Sequence, residues 1–154
     1  MRFLVSEIRD ARVVEREDSV KAEDLLGPAP EMVAFHHPVT SKVQARMTRD
    51  GEIIFSGHVK TVISYQCSRC LDVFDRPIDL EFQQVVPVED QQEIDMSGEI
   101  RETILVDLPV RALCREACRG ICPICGTNLN KSSCRCAVTH VDTRWDALKK
   151  FPFK

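Results

Sequence analysis

Aromatic residues and long apolar runs are both scarce in this sequence. Its 154 residues include one Trp and one Tyr, so few side chains are available for stacking on nucleic-acid bases. No apolar run approaches the roughly 18 residues that a membrane-spanning helix requires. Acidic Glu7 comes too early for a secretory signal peptide. We therefore expect a cytoplasmic protein with no membrane partner.

The motifs of several enzyme classes are also missing. The sequence contains no H-E-x-x-H or H-x-E pattern, no G-x-S-x-G and no glycine-rich phosphate loop. We interpret His36, His37 and His58 as ordinary surface or sheet residues. The expectation is a protein without catalytic residues, enzyme activity or a small-molecule substrate.

Cysteine, by contrast, is abundant, with 8 residues in close pairs. The pairs are Cys67 with Cys70, Cys114 with Cys118, Cys122 with Cys125, and Cys134 with Cys136. Without a secretory signal, such spacing favours metal binding over disulfides. A structural zinc ion takes four ligands, so the pairs predict two structural zinc ions.

The preferred partition of the ligands follows their order in the chain. One site would use Cys67, Cys70, Cys114 and Cys118, and the other Cys122, Cys125, Cys134 and Cys136. Gly126 would let the backbone turn its N–H groups toward the thiolates. Alternatives stay open: another partition, a single site with spare thiols, cysteines that serve as small apolar side chains, a redox pair at Cys67–Cys70, or His140 replacing one thiolate.

Charge is distributed unevenly along the chain. Residues 1–110 carry 12 Lys/Arg against 21 Asp/Glu, a net charge of −9, whereas residues 111–154 carry 9 against 3, a net charge of +6. The cations among the cysteines are Arg111, Arg115, Arg119, Lys131 and Arg135. They either offset the negative charge of zinc–thiolate centres or contact RNA phosphates, with Trp145 as a stacking candidate.

The apolar pattern predicts an α+β fold with an antiparallel β meander. Segments of alternating apolar and polar residues flank the turn signal Asp50-Gly51. In the second segment, a long predicted strand with Gly57 as a candidate bulge, the apolar residues that fall on alternate positions are Ile53, Phe55, Val59, Ile63 and Tyr65. A further strand contains Ile78, Leu80 and Phe82. The expected architecture is this sheet, one or two helices and a C-terminal cysteine-rich zinc knuckle.

The remaining segments are interpreted more locally. Met1–Ile8 is predicted as a first strand, and residues 9–31 as a connector with a short helix around Val20–Leu26. Ser97 is a candidate cap for a helix that should end near Pro109. A tail helix is expected from Asp142. We predict one compact domain, with residues 1–110 forming the sheet, acidic connector and helix and residues 111–154 the basic zinc-binding segment and tail helix.

With these motifs in view, residues 60–150 resemble the YceD family of large ribosomal RNA subunit accumulation proteins. The matching elements, in order, are Cys67-x-x-Cys70-Leu71, Ile94-Asp95, Arg101-Glu102-x-Ile104-Leu105-x-x-Leu108-Pro109, Leu113-Cys114-x-x-x-Cys118-x-Gly120-Ile121-Cys122-Pro123-x-Cys125-Gly126-x-Asn128-Leu129-Asn130, Cys134-x-Cys136 and Asp142-x-Arg144-x-x-x-Leu148. Some family members lack the last four cysteines, which supports two separate sites.

The resemblance implies a ribosome-assembly factor that supports accumulation of large-subunit ribosomal RNA, without known enzyme activity. Its partner would be a ribosomal RNA precursor or a large-subunit ribosomal protein. Other classes remain in competition: a zinc-dependent hydrolase or nuclease, a zinc-buffering or thiol redox-sensing protein, and a protein-interaction module that does not act on RNA.

Overall fold

The computed structural model describes residues 1–28, 32–88 and 92–136. The predicted tail helix, His140 and Trp145 lie outside the described residues. The elements, in chain order, are β1 (Arg2–Leu4), α1 (Val5–Ala11), β2 (Val13–Val20), α2 (Ala22–Leu26), β3 (Val33–Ala34), β4 (Val39–Met47), β5 (Glu52–Gln66), β6 (Val73–Pro87), β7 (Glu93–Asp95) and α3 (Ser97–Asp107). The predicted α+β class is therefore confirmed.

The main sheet is an antiparallel meander extended on one side. Strands β4, β5 and β6 follow one another, and β2 pairs with the free edge of β4 while β3 pairs with the end of β5. Gly51 has a φ of 84° in the predicted turn between β4 and β5. Along β5, Ile53, Phe55 and the later residues of the same parity are buried, as the alternation predicted.

A second sheet and helix α3 complete the apolar core. Strands β1 and β7 pair antiparallel, with Phe3 opposite Ile94. The rings of Phe3 and Phe55 meet edge to face at 5.3 Å, which joins the small sheet to the main one. Ile100 and Ile104 of α3 are buried in the same core, as their spacing predicted.

The N-terminal prediction is wrong in two places. The first strand is only three residues long, because Val5–Ala11 forms a helix that buries Val5 and Ile8. The segment predicted as a connector contains strand β2. Its many charged residues give no alternating apolar pattern, so the pattern did not predict a strand there. This strand is held by antiparallel backbone pairing with β4, a long-range contact that a local sequence pattern does not show. Only the short helix before Gly27 was anticipated.

The start of α3 also differs from the prediction. Ser97 is the first helical residue instead of the cap, and the cap position is held by buried Met96. The carboxylate of Asp95 accepts the Ser97 backbone N–H at 2.9 Å, so an earlier residue satisfies the free helix N–H group. The helix ends at Asp107, close to Pro109 as expected.

Gly57 is not a bulge. It lies in unbroken register with Val43 on β4 and Phe82 on β6. A Cβ at this position would approach the Lys42 carbonyl oxygen to 2.7 Å and the Phe82 ring to 2.9 Å. Glycine is needed here because neighbouring groups fill the space that a side chain would occupy. The strand contains no extra residue of the kind that forms a bulge.

Replacing Gly57 with alanine should therefore destabilise the sheet by about 1–3 kcal/mol, the usual cost of inserting a methyl group into a packed site. Chemical denaturation measures the change. Gly98 is the matched control, because its added Cβ meets nothing within 4 Å and it lies in a helix, where alanine is favoured. Equal stability of both alanine variants would contradict the packing explanation.

Among the described residues, no helix is both long and apolar enough to cross a membrane. The predicted division near residue 110 stays a prediction. The described part does contain two apolar clusters: the sheet core, and a smaller cluster around Cys67, Cys70 and Cys118. The smaller cluster lies where the sheet meets the cysteine-rich segment.

Candidate metal centres

The structure brings the eight cysteines into the two groups of four that the spacing predicted. Site A is defined as Cys67, Cys70, Cys114 and Cys118, and site B as Cys122, Cys125, Cys134 and Cys136. Within each group the sulfur atoms all lie within 4.8 Å of one another. All eight are free thiols.

The spacing of the sulfur atoms in site A suits a tetrahedral zinc ion. Cys67 Sγ lies 3.8 Å from Cys118 Sγ, and Cys70 Sγ lies 3.7 Å from Cys114 Sγ. A tetrahedron with Zn–S bonds of about 2.3 Å has sulfur–sulfur edges of about 3.8 Å. The donor set and its size therefore fit the metal that the sequence suggests.

A tight turn at the end of β5 positions the first two ligands of site A. The Cys67 N–H donates to the Asp72 carbonyl at 2.9 Å, and the Leu71 N–H donates to the Cys67 carbonyl at 2.9 Å. Leu71 has a φ of 62°, a left-handed conformation that is costly for a residue with a side chain. Gly126, which follows the second cysteine of its own pair, has a φ of 71°. Both C-x-x-C turns thus use the same backbone shape.

The other half of site A approaches this turn from far along the chain. Ser68 donates its N–H to the Ala112 carbonyl at 2.9 Å, and the Cys114 N–H lies 3.5 Å from Cys67 Sγ. Arg69 extends its guanidinium to the Cys118 carbonyl at 3.1 Å. These bonds join segments that are about 45 residues apart in sequence, so site A closes a long loop.

Site B is local and more open. The Cys122 N–H donates to the Thr127 carbonyl at 2.8 Å, and Ile121 forms a bridge with Asn128. Cys125 and Cys136 are exposed, whereas Cys67, Cys70 and Cys118 of site A are buried. The two sites share a ligand set but differ in access to solvent.

Hydrogen bonds already favour thiolates at selected cysteines. Burial raises the pKa of Cys67, but the backbone N–H groups of Cys114, Arg69 and Cys70 outweigh it and lower that pKa to about 6. The hydroxyl of Thr127 lowers the pKa of Cys125 to about 6. Such donors stabilise the charged form that binds metal.

Two thiols, Cys114 and Cys136, hold their protons more tightly than a free cysteine does. Burial, followed by contact with Cys70, raises the pKa of Cys114 to about 12. Contact with Cys125 has the same effect on Cys136, whose pKa is about 12. Four adjacent thiolates repel one another unless a cation lies between them. Each group is therefore electrostatically suited to a divalent ion.

The predicted basic residues do not share one role. Arg115 donates to the Asn130 side chain at 2.9 Å, and Lys131 forms an ion pair with Asp72 at 2.8 Å. These two cations are engaged inside the cysteine segment. Arg111, Arg119 and Arg135 are exposed, and within the described ranges their side chains form no ion pair.

Four further residues support the sites and were not predicted from the sequence: Arg69, Asp72, Asn128 and Asn130. The Asn128 amide donates to Asp72 at 2.9 Å, and the Asn130 amide lies 3.3 Å from Cys118 Sγ. Both asparagines belong to the Gly126-x-Asn128-Leu129-Asn130 string that carried the family resemblance. That string was the available signal, although it did not reveal what the side chains contact.

The comparisons with known proteins identify a family that part of the chain resembles. Residues 84–152 match the family model described as large ribosomal RNA subunit accumulation protein YceD. Over these residues, the predicted resemblance to the YceD family is confirmed. No solved structure matches the chain.

Two curated relatives carry the name large ribosomal RNA subunit accumulation protein YCED homolog 1, chloroplastic. The Arabidopsis thaliana protein is 39% identical over 57 residues, which is 37% of this chain and 18% of that protein. The Zea mays protein is 40% identical over 68 residues, or 44% of this chain and 23% of that protein. The similarity thus spans less than a quarter of each relative.

Proposed function

We propose that this protein is a non-catalytic assembly factor that supports accumulation of large-subunit ribosomal RNA. The observation that carries the proposal is the YceD family match, which includes all of site B and the second pair of site A. The relatives' names refer to this process. The other pair of site A comes from the sheet, so the sheet and the matched region would work as one unit.

Two zinc ions are proposed as structural cofactors. Each group offers four thiolates, the ligand set of closed structural zinc sites. A complete tetrahedral shell leaves no position for a reactive water, which supports a role without catalysis. Free thiols in close pairs require a reducing compartment, so the proposed location is the cytoplasm.

The proposed contact with RNA uses the exposed arginines of the cysteine segment. Arg111, Arg119 and Arg135 have no competing carboxylate among the described residues and would bind phosphates. Arg115 and Lys131 would instead help to hold the segment in shape, because their side chains already bind Asn130 and Asp72. This division narrows the five candidates to three.

A basic ribosomal protein is the other partner that the surface supports. Glu99, Glu102 and Asp107 of α3 line a groove against β6, together with Glu81. Val106, 81% exposed, lies in the same groove and offers an apolar contact. Association with ribosomal particles that survives RNase treatment would favour this partner over direct RNA binding.

Depletion of the protein tests the proposed function. Sucrose gradients with RNA quantification should show selective loss of large-subunit ribosomal RNA and of mature large subunits. Re-expression of the wild-type chain should restore both, and the matched control is re-expression of Gly98→Ala, which leaves both metal sites untouched. An unchanged profile after depletion would contradict the assembly role.

Zinc exchange or thiol redox sensing is a second candidate, favoured by the exposure of Cys125 and Cys136. This function predicts reversible disulfides at physiological potentials or rapid zinc transfer from site B. It makes no prediction about ribosomal RNA. If site B forms no disulfide at physiological potentials and transfers no zinc to a competing chelator, this candidate is contradicted.

A further inference from the structure

Asn130 links the two candidate metal sites. It lies between Cys125 and Cys134, within the ligand loop of site B, yet its Nδ2 atom lies 3.3 Å from Cys118 Sγ of site A. Its Oδ1 atom accepts the Arg119 backbone N–H at 2.8 Å. One side chain from the site B loop therefore supports both a site A ligand and the backbone immediately after it.

The position of Asn130 depends on the fold of the site B loop. The Asn130 N–H donates to the Asn128 side chain at 2.9 Å, and the Leu129 N–H donates to the Gly120 carbonyl at 2.9 Å. Both ends of this loop are site B ligands. A metal at site B holds those ends together, and its loss would release the loop that carries the Asn130 amide.

Cys118 is the site A ligand that this amide contacts. It is buried, with 5% of its surface exposed, so water contributes little to solvating its thiolate. A neutral N–H donor lowers the cost of negative charge on a ligand sulfur without competing for the metal. This N–H donor, the Asn130 amide, belongs to the loop of site B, the more exposed of the two sites.

We propose that metal binding at site B strengthens metal binding at site A through the Asn130 amide. Asn130 is then a positioning residue for Cys118, and the two sites are coupled. By thermodynamic linkage, metal at site A must strengthen site B by the same factor. The inference rests on the proposed binding of zinc at both sites.

Competition for zinc between the full chain and a chelating dye tests the coupling. The pair of substitutions Cys125→Ser and Cys136→Ser removes site B and should weaken zinc binding at site A about 10–100-fold. Asn130→Asp should cause a similar loss at site A with site B intact. It keeps an acceptor for the Arg119 N–H but replaces the donor with a carboxylate oxygen.

The combined variant gives the decisive result. If Asn130 carries the coupling, adding Asn130→Asp to the site B variant should cost much less than the same change in the wild type. Ser133→Ala, an exposed position in the same loop, is the matched control and should leave both affinities unchanged. Circular dichroism of each zinc-loaded variant checks that the sheet remains folded.

Two results would overturn the inference: unchanged site A affinity in Asn130→Asp, or fully additive losses in the combined variant. Cys67→Ser, which disables site A, identifies which phase of the titration belongs to that site. A wild-type chain that binds fewer than two zinc ions would instead contradict the proposed zinc role. The two failures are therefore distinguishable.

Discussion

Replacing Cys67 with serine is expected to release the metal of site A and to unfold residues 111–119, while the main sheet and the local loop of site B stay folded. Cys67 is fully buried at the end of β5, and its sulfur lies 3.8 Å from Cys118 Sγ. A serine hydroxyl does not replace a thiolate ligand. Structural zinc contributes about 10–16 kcal/mol of apparent binding free energy, so its loss removes the main constraint on this segment.

The sheet should survive because its core is separate from site A. Phe3, Phe55 and Ile104 belong to a larger apolar cluster that does not include the cysteines. Hydrogen exchange measured by mass spectrometry should show lost protection in residues 111–119 and retained protection in β4 and β5. Metal analysis should show one zinc ion fewer per chain than in the wild type.

Cys125→Ser is the matched control, because it removes one exposed ligand of site B. With zinc in excess, this variant should lose the site B ion and keep protection at the end of β5. The structural role of site A would be contradicted if Cys67→Ser retained full zinc content and wild-type exchange. Global unfolding of Cys67→Ser would contradict the independence of the sheet core.

Charge reversal at Arg111, Arg119 and Arg135 is expected to abolish binding to large-subunit precursor particles without unfolding the protein. The three side chains are exposed and make no ion pairs in the part of the chain that the structure describes. If each contacts a phosphate, the slope of log K against log salt should fall by about one for each arginine removed. Filter binding to precursor RNA at several salt concentrations measures this slope.

A control with the same change of net charge separates local contact from overall repulsion. Reversing Arg9, Arg46 and Arg49 places glutamates on exposed positions of α1, β4 and the following turn. This variant should retain most of its affinity for RNA. Equal loss in both triple variants would indicate a general electrostatic effect, and unfolding of the first variant would assign the arginines a structural role.

Arg115 and Lys131 should behave differently from the other cations. Lys131 binds Asp72, and this contact lowers the pKa of the carboxyl group while the pKa of Lys131 rises. Arg115 binds Asn130. Sequence alone grouped all five cations together because it records charge and spacing but not the partner of each side chain.

The sequence predicted best where the signal was local and periodic. Between Ile53 and Tyr65, every second side chain is buried, which is the alternation of a strand. The turn at Gly51 uses a backbone conformation that glycine adopts readily. Prediction failed at β2, where charged residues form a strand. Its regular pairing with β4 is a long-range contact that a local apolar pattern does not encode.

By itself, the sequence determined that this protein carries eight cysteines in four close pairs, enough ligands for two structural zinc ions. Only the tertiary structure decided which pairs share a site and how each site is supported. The pairing of β5 with β6 sets the turn that holds Cys67 and Cys70, and chain closure brings Cys114 and Cys118 to it. The Asn130 amide reaches Cys118 for the same reason, since contacts between distant segments depend on register and packing and not on spacing in the chain.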